Sequence, residues 1–139
     1  MSSAALSPIP AYLVGTAFLG VGLMAFADPS GAYKQFGIPL SPSLPEKTHP
    51  AAYGAASPFL YAKAARDITF GLTYFLLQYT RNARGVTAFS MAAAVTGCVD
   101  GWIAWTYGGE LRGTAWNHWT GTAVFTAWVA MRLMKHAGH

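Results

Sequence analysis

The stretch YAKAARDITFGLTYFLLQYT, residues 61–80, places the strongest constraint on the fold. It has the length of about 20 residues that a membrane-crossing helix needs, and its second half is almost wholly apolar. Lys63, Arg66 and Asp67 nevertheless lie in its first half. An ionised side chain inside a span costs ~2.5–3.5 kcal/mol on the insertion scale unless it finds a partner or water. These three charges therefore need a physical reason.

The composition of the whole chain favours a membrane protein. Of 139 residues, 53% are hydrophobic and only 10% are charged, whereas about 25% of the residues of a soluble domain are charged. The net charge of +4 comes from basic residues near helix ends and not from a basic stripe, so nucleic acid is not an expected partner. Cys98 is the only cysteine, which excludes an internal disulfide and a cysteine-rich metal site.

Four segments are long and apolar enough to be membrane spans. Small residues are frequent in all of them, and such residues allow helices to approach closely in lipid. We therefore predict an all-α protein, a four-transmembrane-helix bundle that forms one integral-membrane domain over residues 1–139. The predicted spans are residues 8–27, 58–80, 85–107 and 114–133.

Positive charges indicate the orientation of the bundle. The turn between the second and third spans contains Arg81 and Arg84, and the C-terminal end contains Arg132 and Lys135, in both cases without an acidic residue. The charges on the opposite side sum to zero, so the positive-inside rule places both termini in the cytoplasm. In a eukaryote the expected location is the endoplasmic reticulum membrane.

A long connection joins the first two spans. Its prolines exclude one continuous helix. Residues 28–37 predict a short interfacial helix, with Asp28 as its N-cap and Gly37 at its end. Apolar residues favour a packed, lid-like loop over the bundle, and a disordered linker is the alternative. Those residues are Phe36, Ile38, Leu40, Leu44 and Tyr53.

Polar side chains of three spans are expected at one depth. With ~1.5 Å of rise per residue and antiparallel neighbours, they all fall in the outer half of the membrane. On the second span the charged residues share a face with Phe70, Gly71 and Tyr74. Gly71, Gly97 and Gly121 leave space nearby, so we predict a cavity. The polar residues are Lys63, Arg66, Asp67, Asp100, Asn117 and His118.

Two interpretations of this polar layer are open from the sequence. In the first, Arg66 pairs with Asp67 or Asp100 to set the register of the helices, and Lys63 reaches towards the lipid headgroups. In the second, the layer is a functional site, because ionisable residues inside a membrane mark substrate and proton pathways.

The order of motifs along the chain resembles a known family. The motifs are KAARD…G in the second span, an arginine in the next turn, GCVDGW in the third span and NHW…G at the start of the fourth. Over residues 55–135 this pattern is similar to an uncharacterised family of small four-span membrane proteins of bacteria and fungi, labelled as a domain of unknown function. The resemblance implies a fold and no agreed activity. Its motif residues here are Lys63, Arg66, Asp67, Gly71, Asp100 and His118.

The residue types of the layer suit the opening of an epoxide. Some fungal integral-membrane proteins of comparable appearance are similar in role to cyclases and epoxide-opening enzymes of terpenoid and polyketide pathways. Of Asp67 and Asp100, one would take a proton from water or a substrate hydroxyl, and the other would protonate the epoxide oxygen. Arg66 would position both, and Asn117 and His118 would assist. Soluble limonene-type epoxide hydrolases use a similar set of residue types.

Further residues are predicted to contact the substrate. Epoxide-opening cyclisation would develop a cation that the faces of aromatic rings stabilise. Tryptophans near a membrane surface, however, also form anchoring belts. The predicted substrate-binding residues are Lys63, Tyr61, Tyr74, Trp102, Trp116 and Glu110.

The sequence thus favours an enzyme that uses only its own side chains. HxxxH and HExxH spacings are absent from the chain, so neither a metal nor a cofactor is expected. We predict a membrane-embedded acid-base enzyme of secondary metabolism, an epoxide hydrolase or a cyclase/isomerase, acting on an apolar metabolite from the bilayer. The alternative is a non-catalytic membrane protein that binds a lipid or a partner helix, with the buried charges serving assembly. A homo-oligomer is compatible with both.

Overall fold

The computed structural model describes residues 6–39 and 57–137, which are almost entirely helical. This described part contains no strand, so the all-α prediction is confirmed. Leu40, Leu44 and Tyr53 of the predicted lid lie outside the described residues. The helices are α1 (Pro8–Ala27), α2 (Pro29–Phe36), α3 (Pro58–Tyr79), α4 (Ala83–Tyr107) and α5 (Ala115–Ala137), with a 3-10 helix (Gly109–Thr114) between α4 and α5.

Local signals in the sequence determine where the long helices begin. Pro8 and Pro58 start α1 and α3, at the helix position where a missing N–H leaves no bond unmade. Ser7 and Ser57 precede them as N-caps, and each hydroxyl oxygen accepts a hydrogen bond from the N–H two residues later. The first two predicted spans therefore agree closely with α1 and α3.

The short helix α2 follows α1 after a single residue. Asp28 caps it, because its Oδ1 accepts hydrogen bonds from the Gly31 N–H and the Ser30 hydroxyl, both at 2.9 Å. These bonds, that of Gly31 first, hold the pKa of Asp28 below its ordinary value of 3.8. Gly37 ends the helix in a left-handed conformation, with φ of 91°, which glycine adopts without strain. The predicted short helix and both of its caps are thus confirmed.

The long helices form two closely packed pairs, α1 with α3 and α4 with α5. In the first pair, a Cβ atom on Gly22 would come within 2.8 Å of the Ala64 carbonyl oxygen. A Cβ atom on Gly71 would come within 2.7 Å of the Gly15 carbonyl oxygen. Gly71 therefore serves the contact between α1 and α3, and the expectation that it leaves space beside the polar layer is wrong.

In the second pair, α4 and α5, glycines also allow the helices to pack closely. Gly97 and Gly101 lie one turn apart on α4, and a Cβ atom on either would overlap Thr122 or Trp119 of α5. Such small residues one turn apart are characteristic of helices that pack closely in membranes. By contrast, a Cβ atom on Gly121 would meet nothing within 4 Å, so this glycine does leave open space.

A buried polar cluster joins the two pairs near the turn between α3 and α4. The Tyr74 hydroxyl lies 2.8 Å from Ser90 Oγ. Arg132 of α5 is 1% exposed and donates from Nε to Thr87 Oγ1 and from Nη2 to the Ala83 carbonyl oxygen, both at 2.9 Å. Arg132 is therefore buried between helices and does not lie at the membrane surface, where the charge pattern of the sequence predicts it.

The outer surface of the helices is rich in exposed apolar side chains. Each long helix contributes some, including Leu23 of α1, Leu76 of α3, Val95 of α4 and Met131 of α5. Within the described residues, α1 and α4 are long and apolar enough to cross a membrane, and α3 and α5 are as long but more polar. The structure therefore has two candidate spans, which agrees with the membrane prediction in its coarser form.

Candidate functional site

Four charged side chains form a cluster between α3 and α4, the charged cluster of Lys63, Arg66, Asp67 and Asp100. Arg66 donates to Asp67 Oδ1 from Nε at 3.1 Å and from Nη2 at 3.0 Å. It also donates to Asp100, from Nη1 to Oδ1 at 3.2 Å and from Nη2 to Oδ2 at 2.9 Å. Lys63 Nζ donates to Asp67 Oδ2 at 2.6 Å. The structure thus brings together Asp67 and Asp100, the two carboxylates that the helix rise and the antiparallel order of the spans predict at one depth.

The members of the charged cluster differ in exposure. The side chain of Asp67 is 3% exposed and that of Asp100 12%, against 20% for Lys63 and 29% for Arg66. The first interpretation predicts that Lys63 reaches towards the lipid headgroups. In the structure Lys63 instead pairs with Asp67, which lies one helical turn later on the same face of α3. Two positive and two negative side chains give the cluster no net formal charge.

Helix α2 packs against the charged cluster. Lys63 Nζ lies 4.9 Å from the centroid of the Phe36 ring, and the ring of His118 contacts the same phenyl ring edge-on at 5.1 Å. His118 Nε2 donates to the Phe36 carbonyl oxygen at 2.9 Å. The Tyr33 hydroxyl oxygen accepts a hydrogen bond from the Ser57 N–H at 3.0 Å. These contacts tie α2 to the start of α3 and to α5.

A cavity of about 740 Å³ lies between the two helix pairs, and all five α-helices contribute to its lining. This volume is within the range of about 300–1,000 Å³ that is usual for small-molecule sites. Most of the wall is apolar. Its large apolar residues include Leu13, Val14, Phe18, Val21, Phe125 and Trp128.

The predicted polar residues meet this cavity at one end. Arg66 is not part of the lining, although it donates hydrogen bonds to both carboxylates, Asp67 and Asp100. Among residues 6–39 and 57–137, no group of three His, Cys, Asp or Glu side chains could hold a metal ion. The predicted polar residues that line the cavity are Lys63, Asp67, Asp100, Asn117 and His118.

The other predicted substrate-binding residues do not line the cavity. Tyr61 packs on Phe26, with 5.3 Å between ring centroids, and Tyr74 is buried in the core. Trp102 and Trp116 are more than half exposed on the outside of their helices. Glu110, in the 3-10 helix, is also exposed. The positions of the two tryptophans agree with the alternative interpretation, an anchoring belt.

Several lining residues were missed in the sequence. Thr122, Phe125 and Trp128 follow His118 and Gly121 on one face of α5, in steps of three or four residues. That periodicity could have identified them. Gln35 could not have been found in this way, because its position depends on how α2 folds back onto the bundle.

One family pattern matches residues 15–132 and therefore includes the charged cluster and His118. This protein belongs to the DUF4267 family, described as a domain of unknown function. The predicted resemblance to an uncharacterised family is confirmed. The DUF4267 match also begins in α1, earlier than the motifs at residues 55–135 had indicated. Comparison with curated proteins gives no match, and comparison with solved structures gives none.

Proposed function

We propose that this DUF4267 protein binds an apolar metabolite inside a four-span membrane domain. The observation that carries the proposal is the cavity of about 740 Å³, with a mainly apolar wall and polar side chains at one end. A molecule with a large apolar part and one polar group can bury the former along the wall while the latter meets the polar end.

The four-span arrangement is supported by the way in which the two more polar helices bury their polar groups. The charges of α3 are paired within the bundle, which offsets the cost of placing them in a membrane. Arg132 of α5 is bonded to α4. Both helices then direct apolar residues outwards, such as Leu76 and Met131. Exposed apolar surface on every long helix is what contact with lipid requires.

Access to the cavity would be from the bilayer. Helices α1 and α5 scarcely touch each other, although both line the cavity. Leu13 of α1 and Val124 of α5 belong to the lining and are 66% and 73% exposed. The cavity therefore opens between these two helices, and in a membrane this opening would face acyl chains. An apolar metabolite could enter without crossing water.

Acid-base catalysis on the bound molecule is the second candidate function, and the titratable side chains at the polar end favour it. To open an epoxide, a base takes a proton from water or a hydroxyl group while that oxygen bonds to an epoxide carbon. The C–O bond of the epoxide breaks, and a donor protonates its oxygen. Such a reaction would be an epoxide hydrolysis or an epoxide-opening cyclisation of secondary metabolism.

The contacts favour a different division of roles from the one expected from the sequence. All four carboxylate oxygens of Asp67 and Asp100 accept hydrogen bonds from Lys63 or Arg66. A proton on either carboxyl group would remove the negative charge that pairs with these cations. The two aspartates are therefore better suited to positioning the cations, and His118 is the more accessible candidate base.

The test is to identify what co-purifies with the protein in mild detergent, by mass spectrometry. Gly121→Leu places a side chain in the open space of the cavity, whereas Gly20→Leu on α1 adds the same side chain away from it, again with no atom within 4 Å of the new Cβ. We expect the Gly121 variant to lose the bound molecule by about tenfold or more, equal to ~1.4 kcal/mol. The Gly20 variant should retain it. Equal retention in both variants would refute binding in this cavity.

Catalysis and binding separate at His118. If the recovered molecule is an epoxide or an opened product, His118→Gln should lose conversion of the epoxide by a far larger factor than it loses binding, because an amide cannot act as the base. A membrane lipid that is recovered intact and never converted would instead support the non-catalytic binding protein.

A further inference from the structure

The charged cluster offers no net charge to a bound molecule. Asp67 Oδ2 accepts from Lys63 at 2.6 Å, and Asp67 Oδ1 and both oxygens of Asp100 accept from Arg66 at 2.9–3.2 Å. The two cations and two carboxylates thus compensate each other. A charged group on the ligand would have to break one of these ion pairs or remain without a counter-charge in an apolar cavity, and both are costly.

His118 is one of the described lining residues with hydrogen-bonding capacity to spare, along with Gln35, Asn117 and Trp128, whose Nε1 is buried without a partner. Its Nε2 lies 2.9 Å from the Phe36 carbonyl oxygen. A carbonyl oxygen can only accept, so Nε2 carries the hydrogen of this bond, and in the neutral imidazole Nδ1 is then an acceptor. Within residues 6–39 and 57–137, Nδ1 has no hydrogen-bond partner.

The tautomer is held by the fold. Phe36 ends α2, and α2 is fixed by its contacts with Lys63 and by the bond from Ser57 to Tyr33. While α2 remains packed on the charged cluster, the carbonyl oxygen of Phe36 keeps the hydrogen on Nε2 of His118. Nδ1 of the neutral imidazole is therefore an acceptor on a residue that lines the cavity, close to a charge-compensated cluster.

We propose that the ligand of this cavity is a neutral, apolar alcohol whose hydroxyl group donates a hydrogen bond to His118 Nδ1. The inference rests on the proposed function, since it names the chemical class of the molecule that the cavity binds. A hydroxyl supplies the donor that Nδ1 requires and brings no charge. A methyl ether of the same molecule keeps the apolar part and lacks the donor. A carboxylate lacks the donor at neutral pH and adds a negative charge, and an ammonium group adds a positive charge to a cluster whose charges are already compensated.

The test compares four ligands that share one chain: oleyl alcohol, oleyl methyl ether, oleic acid and oleylamine. Binding to the full-length wild-type protein in detergent is measured by native mass spectrometry. We expect the alcohol to bind roughly three- to tenfold more tightly than the ether, the difference made by one neutral hydrogen bond. The acid and the amine should bind more weakly than the alcohol.

Two variants test whether His118 is responsible for the preference for the alcohol over the ether. In His118→Phe the ratio of alcohol to ether affinity should fall to about one. Trp116→Phe, a change of the neighbouring exposed residue outside the cavity, should leave the ratio unchanged. The comparison of ligands on the wild-type protein needs no variant, so it stands even if the His118 variant does not fold.

The outcomes separate the two proposals. If the ether binds as tightly as the alcohol, or if the acid or the amine binds most tightly, and Gly121→Leu abolishes that binding, the inference about the hydroxyl is overturned and the binding cavity stands. If none of the four binds and nothing co-purifies with the protein, the proposed function itself fails.

Discussion

Asp67 shows how one buried side chain holds several others in place. It is almost fully buried and accepts hydrogen bonds from Lys63 and Arg66, which lie within one turn of it on α3. Arg66 then reaches across to Asp100 on α4. Because every charge has a counter-charge, α3 can carry three ionised residues between the helices, where an unpaired one would be costly.

Asp67→Asn is expected to destabilise the protein. The amide keeps the size of the side chain but removes the negative charge, so Lys63 and Arg66 are left with Asp100 alone. Breaking a buried ion pair at one partner typically costs about 3 kcal/mol or more. Thermal unfolding in detergent measures the loss as a lower Tm.

Glu110→Gln is the matched control for this change, because it removes the same charge from an exposed position in the 3-10 helix. Its Tm should stay close to that of the wild type. Equal Tm values for the two variants would mean that the charged cluster does not stabilise the fold.

The helices α1 and α3 depend on small residues for their contact. Ala11, Gly15, Gly22 and Ala25 are all buried on α1 and lie along one side of it. In a membrane, association of helices relies on van der Waals packing, since lipid provides no hydrophobic drive. The closeness of the backbones at Gly22 is therefore a source of stability that apolarity alone would not supply.

Gly22→Ala should weaken this pair. The added Cβ would lie 2.7 Å from Ile68 Cγ1 and 2.8 Å from the Ala64 carbonyl oxygen, so backbones must move apart. Overpacking of this kind costs about 1–3 kcal/mol, which thermal unfolding would detect. Gly20→Ala, two residues away and free of neighbours within 4 Å, should not lower the Tm. A similar loss in both variants would indicate a cause other than contact with α3, since alanine favours a helix more than glycine does.

For the whole molecule, the two pairs of helices enclose a cavity whose polar end lies towards α2 and the 3-10 helix. The proposed topology puts that end on the outer side of the membrane, and the turn between α3 and α4 on the cytoplasmic side with both termini. The endoplasmic reticulum stays the prediction for a eukaryotic cell.

Labelling of single cysteines tests the topology. In a Cys98→Ser background, Asn82→Cys marks the α3–α4 turn and Gly113→Cys marks the 3-10 helix, both at exposed positions. A membrane-impermeant maleimide applied to intact vesicles should label the two sites from opposite sides. Because both sites are exposed, a difference in reactivity reports the membrane. Labelling of both from the same side would exclude the four-span arrangement.

The sequence sufficed for the features that local chemistry controls. Serine or aspartate before proline started α1, α2 and α3, and Gly37 ended α2. Steps of three and four residues put Lys63 and Asp67 on one face of α3. These features could be predicted because each depends on residues within one or two helical turns.

The contacts between distant segments could not be predicted from local sequence. The burial of Arg132 against Thr87, the close contact of Gly71 with Gly15 and the bond from His118 to Phe36 each join positions more than forty residues apart along the chain. Each depends on which helices pair and at what rotation, and these are determined by the packing of all the helices together. Residue order along the chain therefore accounts for the helices and their polar face, whereas the shape of the cavity and the tautomer of His118 follow from the assembled bundle.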